Sequence, residues 1–421
     1  MILPFVRELL ADMERSAAFE QASRHLTLAR GRRRVSGLTA TARGLYLPLL
    51  ARAAHVPAIV LVADNKAADA LYLTVRSACE LTGAIPASRV LKLPAHDVLP
   101  FEHLSPHPEV QEQRAATLWK IATDAASIVI APVEAAAMKL FPATYYSDLA
   151  RVLRRGEEHD LDELTMHLAA VGYMAMDIVE MPGQYTRRGG ILDVYSPEAE
   201  RPVRLEFFGD EVESIRRFDP ETQRSLNPLD EATLLPLTET PISERLLAAV
   251  HTRLSGSHLD DVDAPELVER SIASGGVTVF PGWEFFAGVA GATTTLLGLF
   301  PRCVLFVEEP AMIRNQVERW WTKIEQRHDR SGIGSLVQPA DIYREPDALL
   351  AELTGHFGLD LDQLGIVDVL EDDLTLGEIA FESRPTMRFH GSIPAMVEQL
   401  RTLMQQETRM LVVSANQGEL E

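Results

Sequence analysis

Three short, almost wholly apolar runs, each joined to segments of helical length, constrain the fold of this chain most. They read AIVLVAD (58–64), SIVIAP (127–132) and RCVLFVEEP (302–310). Runs of this kind, without regular polar alternation, indicate strands that are buried on both faces of a parallel sheet. Helices are predicted at about 65–81 and 109–124, so strands and helices alternate along the chain. This alternation predicts an α/β fold with a doubly wound parallel sheet.

A second pattern begins near residue 143 and predicts a smaller, separate domain. After a predicted helix at 161–170, the sequences YMAMDIVEM (173–181), GGILDVYSP (189–197) and PVRLEFFGDEVESIRRFD (202–219) alternate apolar and polar residues. Alternation with period two is typical of antiparallel strands with one solvated face. Because the apolar run at 302–310 comes later and fits the first sheet, we expect the smaller α+β domain to be an insertion.

These changes of pattern divide the chain into five predicted regions. The strand-like MLVVSA (410–415) is followed only by NQGELE, and a parallel strand without neighbours cannot bury both faces. We therefore expect the chain to stop inside a third α/β domain, as a fragment or a truncated reading frame. The regions are the first part of the parallel-sheet domain (1–142), the inserted domain (143–225), the return to the parallel sheet (226–326), a linker (327–380) and the incomplete third domain (381–421). The linker contains the acidic sequence DVLEDD (368–373).

Composition restricts the compartment and the partners. The chain has no apolar run of about 18 residues and no secretory signal at its start, which predicts a cytoplasmic protein without membrane contact. Cys79 and Cys303 are expected to be buried thiols in a reducing compartment. The net charge of −21 disfavours tight binding of duplex DNA by the chain as a whole. A local DNA contact through Arg30, Arg32, Arg33 and Arg34 stays open as a minor alternative.

SGLTATARG (36–44) has the frame of a phosphate-binding loop, G-x-x-x-x-G-K-[ST], with Gly37 as its first glycine. The three positions that act on phosphate and magnesium are Ala42, Arg43 and Gly44. Alanine in the left-handed conformation costs roughly 1 to 2 kcal/mol, arginine is bulkier than lysine, and glycine offers no hydroxyl to a metal. We therefore predict a degenerate nucleotide loop, with no cofactor and no catalytic activity in this chain.

The acidic positions that accompany such a loop are also altered. Glu308 and Glu309, at the end of VLFVEEP, stand where an Asp-Glu pair usually faces magnesium. Alone this pattern is weak, but together with SGLTATARG it indicates a decayed RecA- or helicase-like nucleotide fold. The competing interpretation is an ATP-dependent enzyme in which Arg43 replaces the lysine.

The histidines of LPAHDVLPFEHLSPHPE (93–109) are a weaker candidate site. The three prolines between residues 100 and 108 oppose the helix that would bring His103 and His107 together. Without cysteine ligands we expect no metal here, but an ordered loop whose histidines form local hydrogen bonds. The side chains considered are His96, Asp97, Glu102, His103 and His107.

Arginine and aromatic residues are interleaved on the predicted strands of the inserted domain. Alternation places Arg204, Glu206 and Phe208 on one side of their strand. A phenylalanine on the charged side fits a protein-binding face better than a solvated one, although a sheet with one solvated face is the plain alternative.

These motifs together identify a resemblance. RRGGILDVYSP (187–197) followed by VRLEFFGDEVESIRRFDPETQRS (203–225) resembles the inserted domain that UvrB shares with the transcription-repair coupling factors (Mfd). SGLTATARG, LPAHDVLPFEHLSPHPEVQEQR and IVIAPVEAAAMKLFP extend the likeness over much of the chain. UvrB-like chains keep the loop lysine and carry a tyrosine-rich hairpin that is missing here, so the coupling factors fit better.

The resemblance implies the UvrB-like N-terminal module of a coupling factor, which recruits UvrA to RNA polymerase stalled at DNA damage. Matched motif to motif, the implied UvrA contacts are Arg188, Arg204 and Phe208, with Arg187 as a one-position ambiguity. The resemblance further implies that polymerase and DNA are bound, and that ATP and magnesium drive a DNA translocase, in parts of the full-length family protein outside this chain.

The leading hypothesis is therefore a non-catalytic UvrA-recruiting module in transcription-coupled nucleotide-excision repair. It predicts that Arg204→Ala or Phe208→Ala weakens UvrA binding while the melting temperature stays nearly unchanged. The alternative is an ATP-dependent, UvrB-like helicase or damage-binding protein.

Overall fold

The structure is a computed structural model. It describes residues 8, 11–28, 31–102, 104–241, 243–256, 281–331, 337–363, 378–384, 389 and 392–408. The strands are β1 (Arg32–Ser36), β2 (Ala58–Val62), β3 (Val90–Lys92), β4 (Ile128–Pro132), β5 (Arg151–Arg154), β6 (Met174–Ala175), β7 (Gln184–Arg188), β8 (Ile191–Val194), β9 (Val203–Phe208), β10 (Glu211–Phe218), β11 (Ser225–Leu229), β12 (Glu231–Leu234), β13 (Val304–Glu308), β14 (Gly358–Leu361) and β15 (Glu378–Ala380).

Helices connect these strands and cover the sheets. The helices are α1 (Ala17–Leu28), α2 (Ala40–Ala54), α3 (Asn65–Thr82), α4 (Pro108–Ala122), α5 (Val133–Ala137), α6 (Ala143–Ser147), α7 (Leu161–Ala170), α8 (Glu244–Gly256), α9 (Pro310–Arg330), α10 (Pro339–Ile342), α11 (Pro346–Gly355) and α12 (Ile393–Gln405).

The larger sheet is parallel and seven-stranded, with the order β15-β1-β14-β13-β2-β4-β3. The three apolar runs form neighbouring strands in it, because β2 pairs with both β4 and β13. Every residue of β2 and β4 is buried, as expected for strands covered by helices on both faces. The prediction of an α/β fold with a parallel sheet is confirmed.

The smaller sheet has six strands in the order β11-β10-β9-β8-β7-β6. Strands β7 to β11 are antiparallel to their neighbours, whereas β6 runs parallel to β7. Leu164 and Leu168 of α7 are buried in one hydrophobic cluster with Leu192 and Leu205 of the sheet. The sheet therefore has an inner face on the core and an outer face turned away from it.

Two predicted boundaries are wrong. The inserted region does not end at residue 225, because β11 and β12 follow and β12 pairs with β5. Residues 358–361 and 378–380, which were expected in a linker, form β14 and β15, and these strands flank β1 within the parallel sheet. Sequence patterns missed both because these strands are short. The acidic sequence at 368–373 lies outside the described residues.

Contacts divide the chain into two units, Met1–Glu382 and Ser383–Glu421. In the second unit α12 begins after Ser392, whose hydroxyl accepts a hydrogen bond from Ala395 N. The strand predicted at 410–415 lies outside the described residues.

In the first unit, Cys79 and Cys303 are buried free thiols. Within the described ranges, none of the helices is both long enough and apolar enough to cross a membrane.

Candidate functional site

The loop after β1 is shorter than the sequence frame suggests. Thr39 caps α2, and its hydroxyl accepts a hydrogen bond from Ala42 N, while Arg43 N donates to Thr39 O over 2.8 Å. Ala42 therefore lies in the first turn of a helix and not in the left-handed conformation, which corrects the strain expected there. Two of the amides that would face a phosphate in a working loop, those of Ala42 and Arg43, are used to start this helix instead.

Arg43 fills the space between the loop and the end of β13. Its side chain is 3% exposed, and its guanidinium pairs with both Glu308 and Glu309, the latter at 2.9 Å. A third hydrogen bond from Arg43 Nη2 reaches Leu38 O at 3.4 Å. The guanidinium in the lysine position thus lies between the two carboxylates of the acidic pair and offsets part of their charge.

Glu309 adopts a backbone conformation that fits this arrangement. Its φ of +49° lies in the left-handed region, which is uncommon for a non-glycine residue, and its carboxylate also accepts a hydrogen bond from Gln363 N at 3.0 Å. Asp362 lies beside the same cluster and pairs with Arg34 at 3.2 Å. Burial, only partly opposed by Arg34, raises the pKa of Asp362 to about 6.

Both glycines of SGLTATARG, Gly37 and Gly44, lie in close contact with other parts of the chain. A Cβ atom on Gly37, which has a φ of +74°, would lie 1.8 Å from the carbonyl oxygen of Phe381. A Cβ atom on Gly44 would lie 2.3 Å from Cγ2 of Thr74 on α3. The hydroxyl-bearing residue of a working loop therefore fits at position 44 only if Thr74 or one of the two helices shifts.

Part of the basic run before the loop is used in ion pairs within the protein. Arg32 is buried and its Nε donates to Asp360 at 3.1 Å, and Arg34 pairs with Asp362. Two of the four proposed phosphate contacts are therefore satisfied internally by β14 and the residue after it. Arg30 lies outside the described residues.

His96 belongs to a buried ion-pair network and not to a metal site. Its Nε2 lies 3.1 Å from Glu239, which accepts two hydrogen bonds from the fully buried Arg114. Burial opposes ionisation of Glu239, but Arg114 and His96 together outweigh it and lower the pKa of Glu239 to about 2. No metal-binding group of His, Cys, Asp or Glu side chains exists among the residues described, and His103 lies outside them.

Register in the smaller sheet separates the two neighbouring arginines. In the strand register, Arg188 lies opposite Ile191 of β8, and Ile191 lies opposite Glu206 of β9. Residues opposite one another share a face, so Arg188 is on the outer face with Arg204 and Phe208. Arg187 pairs with the inward-facing Leu192 and forms an ion pair with Asp162 of α7. Of the two candidates, only Arg188 lies on the face that carries Arg204 and Phe208.

Arg204 is held more firmly than the sequence suggested. Its guanidinium donates to both oxygens of Asp193, at 2.7 and 2.8 Å, and lies 4.9 Å from the ring centroid of the fully buried Phe218. Asp193 is only 2% exposed. Removal of Arg204 would leave this carboxylate buried without its partner, so the expectation of an unchanged melting temperature is revised for Arg204→Ala.

Phe208 differs from Arg204 in being free of such packing. It ends β9, and 80% of its surface is exposed.

Next to this face, residues 174–181 do not form the strand that their sequence predicts. Met174 and Ala175 pair with β7, and the remainder is a loop. The alternation in YMAMDIVEM mimicked a strand, and the cue that was overlooked was its abundance of methionine.

Comparison with known protein families assigns the class of the smaller domain. A family model described as the UvrB interaction domain matches residues 152–239. This range agrees with the strands from β5 to β12 and extends beyond the boundary expected at residue 225. The chain is thus a mixed α/β protein that contains a UvrB interaction domain.

Curated relatives narrow the assignment further. The transcription-repair-coupling factor of Myxococcus xanthus is 32% identical over 306 residues, 70% of this chain and 25% of that protein. The coupling factor of Haemophilus influenzae is 28% identical over 68% of this chain and 26% of that protein. That of Escherichia coli is 25% identical over 75% of this chain and 27% of that protein. The chain is therefore a homologue of the transcription-repair-coupling factors and spans about a quarter of their length, which confirms the recognition made from the sequence.

Proposed function

We propose that this chain is a non-catalytic module that recruits UvrA in transcription-coupled nucleotide-excision repair. The observation that carries the proposal is the outer face of the UvrB interaction domain, where the exposed Phe208 and Arg188 lie on the same side of one sheet. Exposed aromatic and arginine side chains at such a face are the residue types that dominate binding energy in protein interfaces.

The roles of the arginines differ within this proposal. Within the described part of the chain, Arg188 donates to one backbone carbonyl, that of Asp177, and to no carboxylate, so its charge is available to a carboxylate of the partner. Arg204, bound to Asp193, positions the sheet and contributes a partly exposed edge of its guanidinium. Arg187 is committed to Asp162 on the other side and is not part of the contact.

The parallel-sheet domain serves as the scaffold and binds no nucleotide in this proposal. Support comes from the early start of α2, the pairing of Arg43 with Glu308 and Glu309, and the contact of Gly44 with Thr74. Magnesium would have to displace a guanidinium that already pairs with both carboxylates. Binding of RNA polymerase and DNA, and ATP-driven translocation, belong to other parts of a full-length coupling factor.

The test is a calorimetric titration of the chain with UvrA. Phe208→Ala is expected to weaken binding by roughly 2 kcal/mol, about 30-fold, because an anchoring aromatic ring is lost. The melting temperature should not change, since the ring is exposed. Leu73→Ala on α3, an exposed apolar residue in the other domain, is the matched control. Unaltered UvrA affinity in Phe208→Ala would refute the proposed surface.

A second titration separates this proposal from an ATP-dependent enzyme. ATP with magnesium is expected to give no binding heat, and Arg43→Ala should not change that result. Saturable heat that is lost in Arg43→Ala and in Glu308→Gln would favour the enzyme instead.

A further inference from the structure

Residues 174–181 present apolar side chains to solvent beside the outer face. Met174, Met176, Ile178 and Met181 are each between 45% and 60% exposed. Single exposed apolar residues are common on protein surfaces, but several within one short segment indicate a site of association. Methionine adapts its shape to a partner because its side chain is flexible and polarizable.

This segment is ordered by its own hydrogen bonds, so the exposure is not that of a frayed loop. Val179, in its middle, is fully buried and anchors it. The hydrogen bonds that fix the segment run from Met176 N to Tyr185 O (2.9 Å), from Glu180 N and Met181 N to Gln184 Oε1 (2.8 and 3.0 Å), and from Gln223 Nε2 to Val179 O (3.2 Å). A partner that binds preordered side chains loses less conformational entropy than one that must order them.

The segment is continuous with the face that carries Arg188. The Arg188 guanidinium donates to the carbonyl of Asp177, next to the exposed Ile178. On the other side of Arg188, Ile191 is itself exposed and is the register partner of both Arg188 and Glu206. An apolar strip thus borders Arg188 on two sides.

The charges around this apolar strip indicate which kind of partner it binds. Arg188 and Arg216 share the outer face and, among the residues described, form no ion pair with a carboxylate. A second copy of this chain carries a net charge of −21, and so does the first, which opposes self-association. Asp177 and Glu180 within the segment oppose an anionic membrane. A protein with an apolar patch bordered by carboxylates fits best.

We propose that residues 174–181 and Ile191 form the apolar part of the UvrA docking surface, with Arg188 and Phe208 at its edges. This inference rests on the proposed function and adds its chemistry: UvrA offers an apolar patch whose rim carries carboxylates to Arg188 and Arg216. The loop supplies the larger contact area, and the arginines set the orientation.

The experiment is a titration of the full chain with UvrA, using the double variant Met176→Ser, Ile178→Ser. The dissociation constant for the complex of this double variant with UvrA is expected to rise at least about tenfold. The matched control is Leu73→Ser with Met312→Ser, two exposed apolar residues outside the UvrB interaction domain, which should change the constant less than about twofold. Melting curves of both double variants, expected to overlay the parent, verify that the serines do not unfold the loop.

Phe208→Ala, titrated in parallel, distinguishes the two levels of the hypothesis. If Phe208→Ala weakens binding and the loop variant does not, the docking surface stands and the inference about the loop is overturned. If neither variant weakens binding, both the proposed function and the inference fail. Sedimentation of the chain alone provides the remaining outcome: a dimer that the loop substitutions dissociate, with UvrA affinity unchanged, would assign the strip to a second copy and overturn the inference.

Discussion

Arg43 and Arg188 illustrate how differently two regions of this chain treat the same side chain. Arg43 lies in the parallel-sheet domain, almost fully buried, and its charge is neutralised by Glu308 and Glu309 of the same chain. Arg188 lies exposed on the UvrB interaction domain, and its one hydrogen-bond partner among the described residues is the backbone carbonyl of Asp177. A guanidinium that is already paired stabilises its own fold, whereas an unpaired one on an ordered sheet is available for recognition.

The difference shows that the location of a motif does not by itself locate function. The loop frame at 36–44 has the more familiar sequence, yet Thr39 caps helix α2 and Arg43 pairs with the acidic residues at the end of β13. The outer face at 188–208 matches no catalytic pattern, yet it keeps an aromatic ring and an arginine exposed. Each of the following predictions tests one side of this contrast.

The largest effect is expected for Arg43→Ala. It leaves two carboxylates close together without their common cation, and should reduce the free energy of unfolding by about 3 kcal/mol. Urea denaturation measures this loss, and UvrA affinity should stay the same. Arg52→Ala, which removes the partly exposed pair with Glu14, is the control and should cost under about 0.5 kcal/mol. A loss as small as that of the control would contradict the view that the loop is closed by internal ion pairs.

Arg204→Ala should affect both stability and binding. The buried Asp193 loses both hydrogen bonds, so the free energy of unfolding should fall by about 2 kcal/mol. A double-mutant cycle with Asp193→Ala measures the coupling, and the double variant should be less destabilised than the sum of the singles. Additive losses would indicate that Arg204 does not depend on Asp193 and is a free contact residue like Arg188.

The neighbouring arginines give a direct test of register. Arg188→Ala should weaken UvrA binding by about tenfold, or about 1.4 kcal/mol, because it removes an available charge at the edge of the docking surface. Arg187→Ala should change affinity less than about twofold, since that side chain faces α7 and Asp162. Surface plasmon resonance with immobilised UvrA resolves both. The reverse ranking would place the docking surface on the other side of the sheet.

The smallest effect concerns pH at the closed loop. Because the pKa of Asp362 is raised to about 6 in the folded state, the stability that its protonated form contributes is complete below about pH 4 and is lost as the pH rises through about 6. The loss should be about 1 kcal/mol after allowance for partial solvation. Asp362→Asn should remove this part of the pH dependence. Identical profiles for parent and variant between pH 4 and pH 7 would show that Asp362 is not buried against its neighbours.

The apolar strands were predictable because burial on both faces leaves a strong one-dimensional signal. AIVLVAD, SIVIAP and VLFVEE all became neighbours in the parallel sheet. Residues 174–181 were not predictable, since alternating side chains look the same in a strand and in a loop that buries only Val179. The short strands β14 and β15 were missed because three or four residues leave too little pattern.

By itself, the sequence determined the α/β class, the presence of a second antiparallel domain, the resemblance to the coupling factors and the small set of arginine and aromatic candidates. Those features depend on local periodicity and on ordered motifs, which are properties of the chain alone. Only the tertiary structure decided that Arg188 and not Arg187 faces outward, that Arg204 is fixed by Asp193, and that Arg43 is neutralised by Glu308 and Glu309. These outcomes depend on strand register and on contacts between distant residues, Arg43 and Glu308 being 265 positions apart.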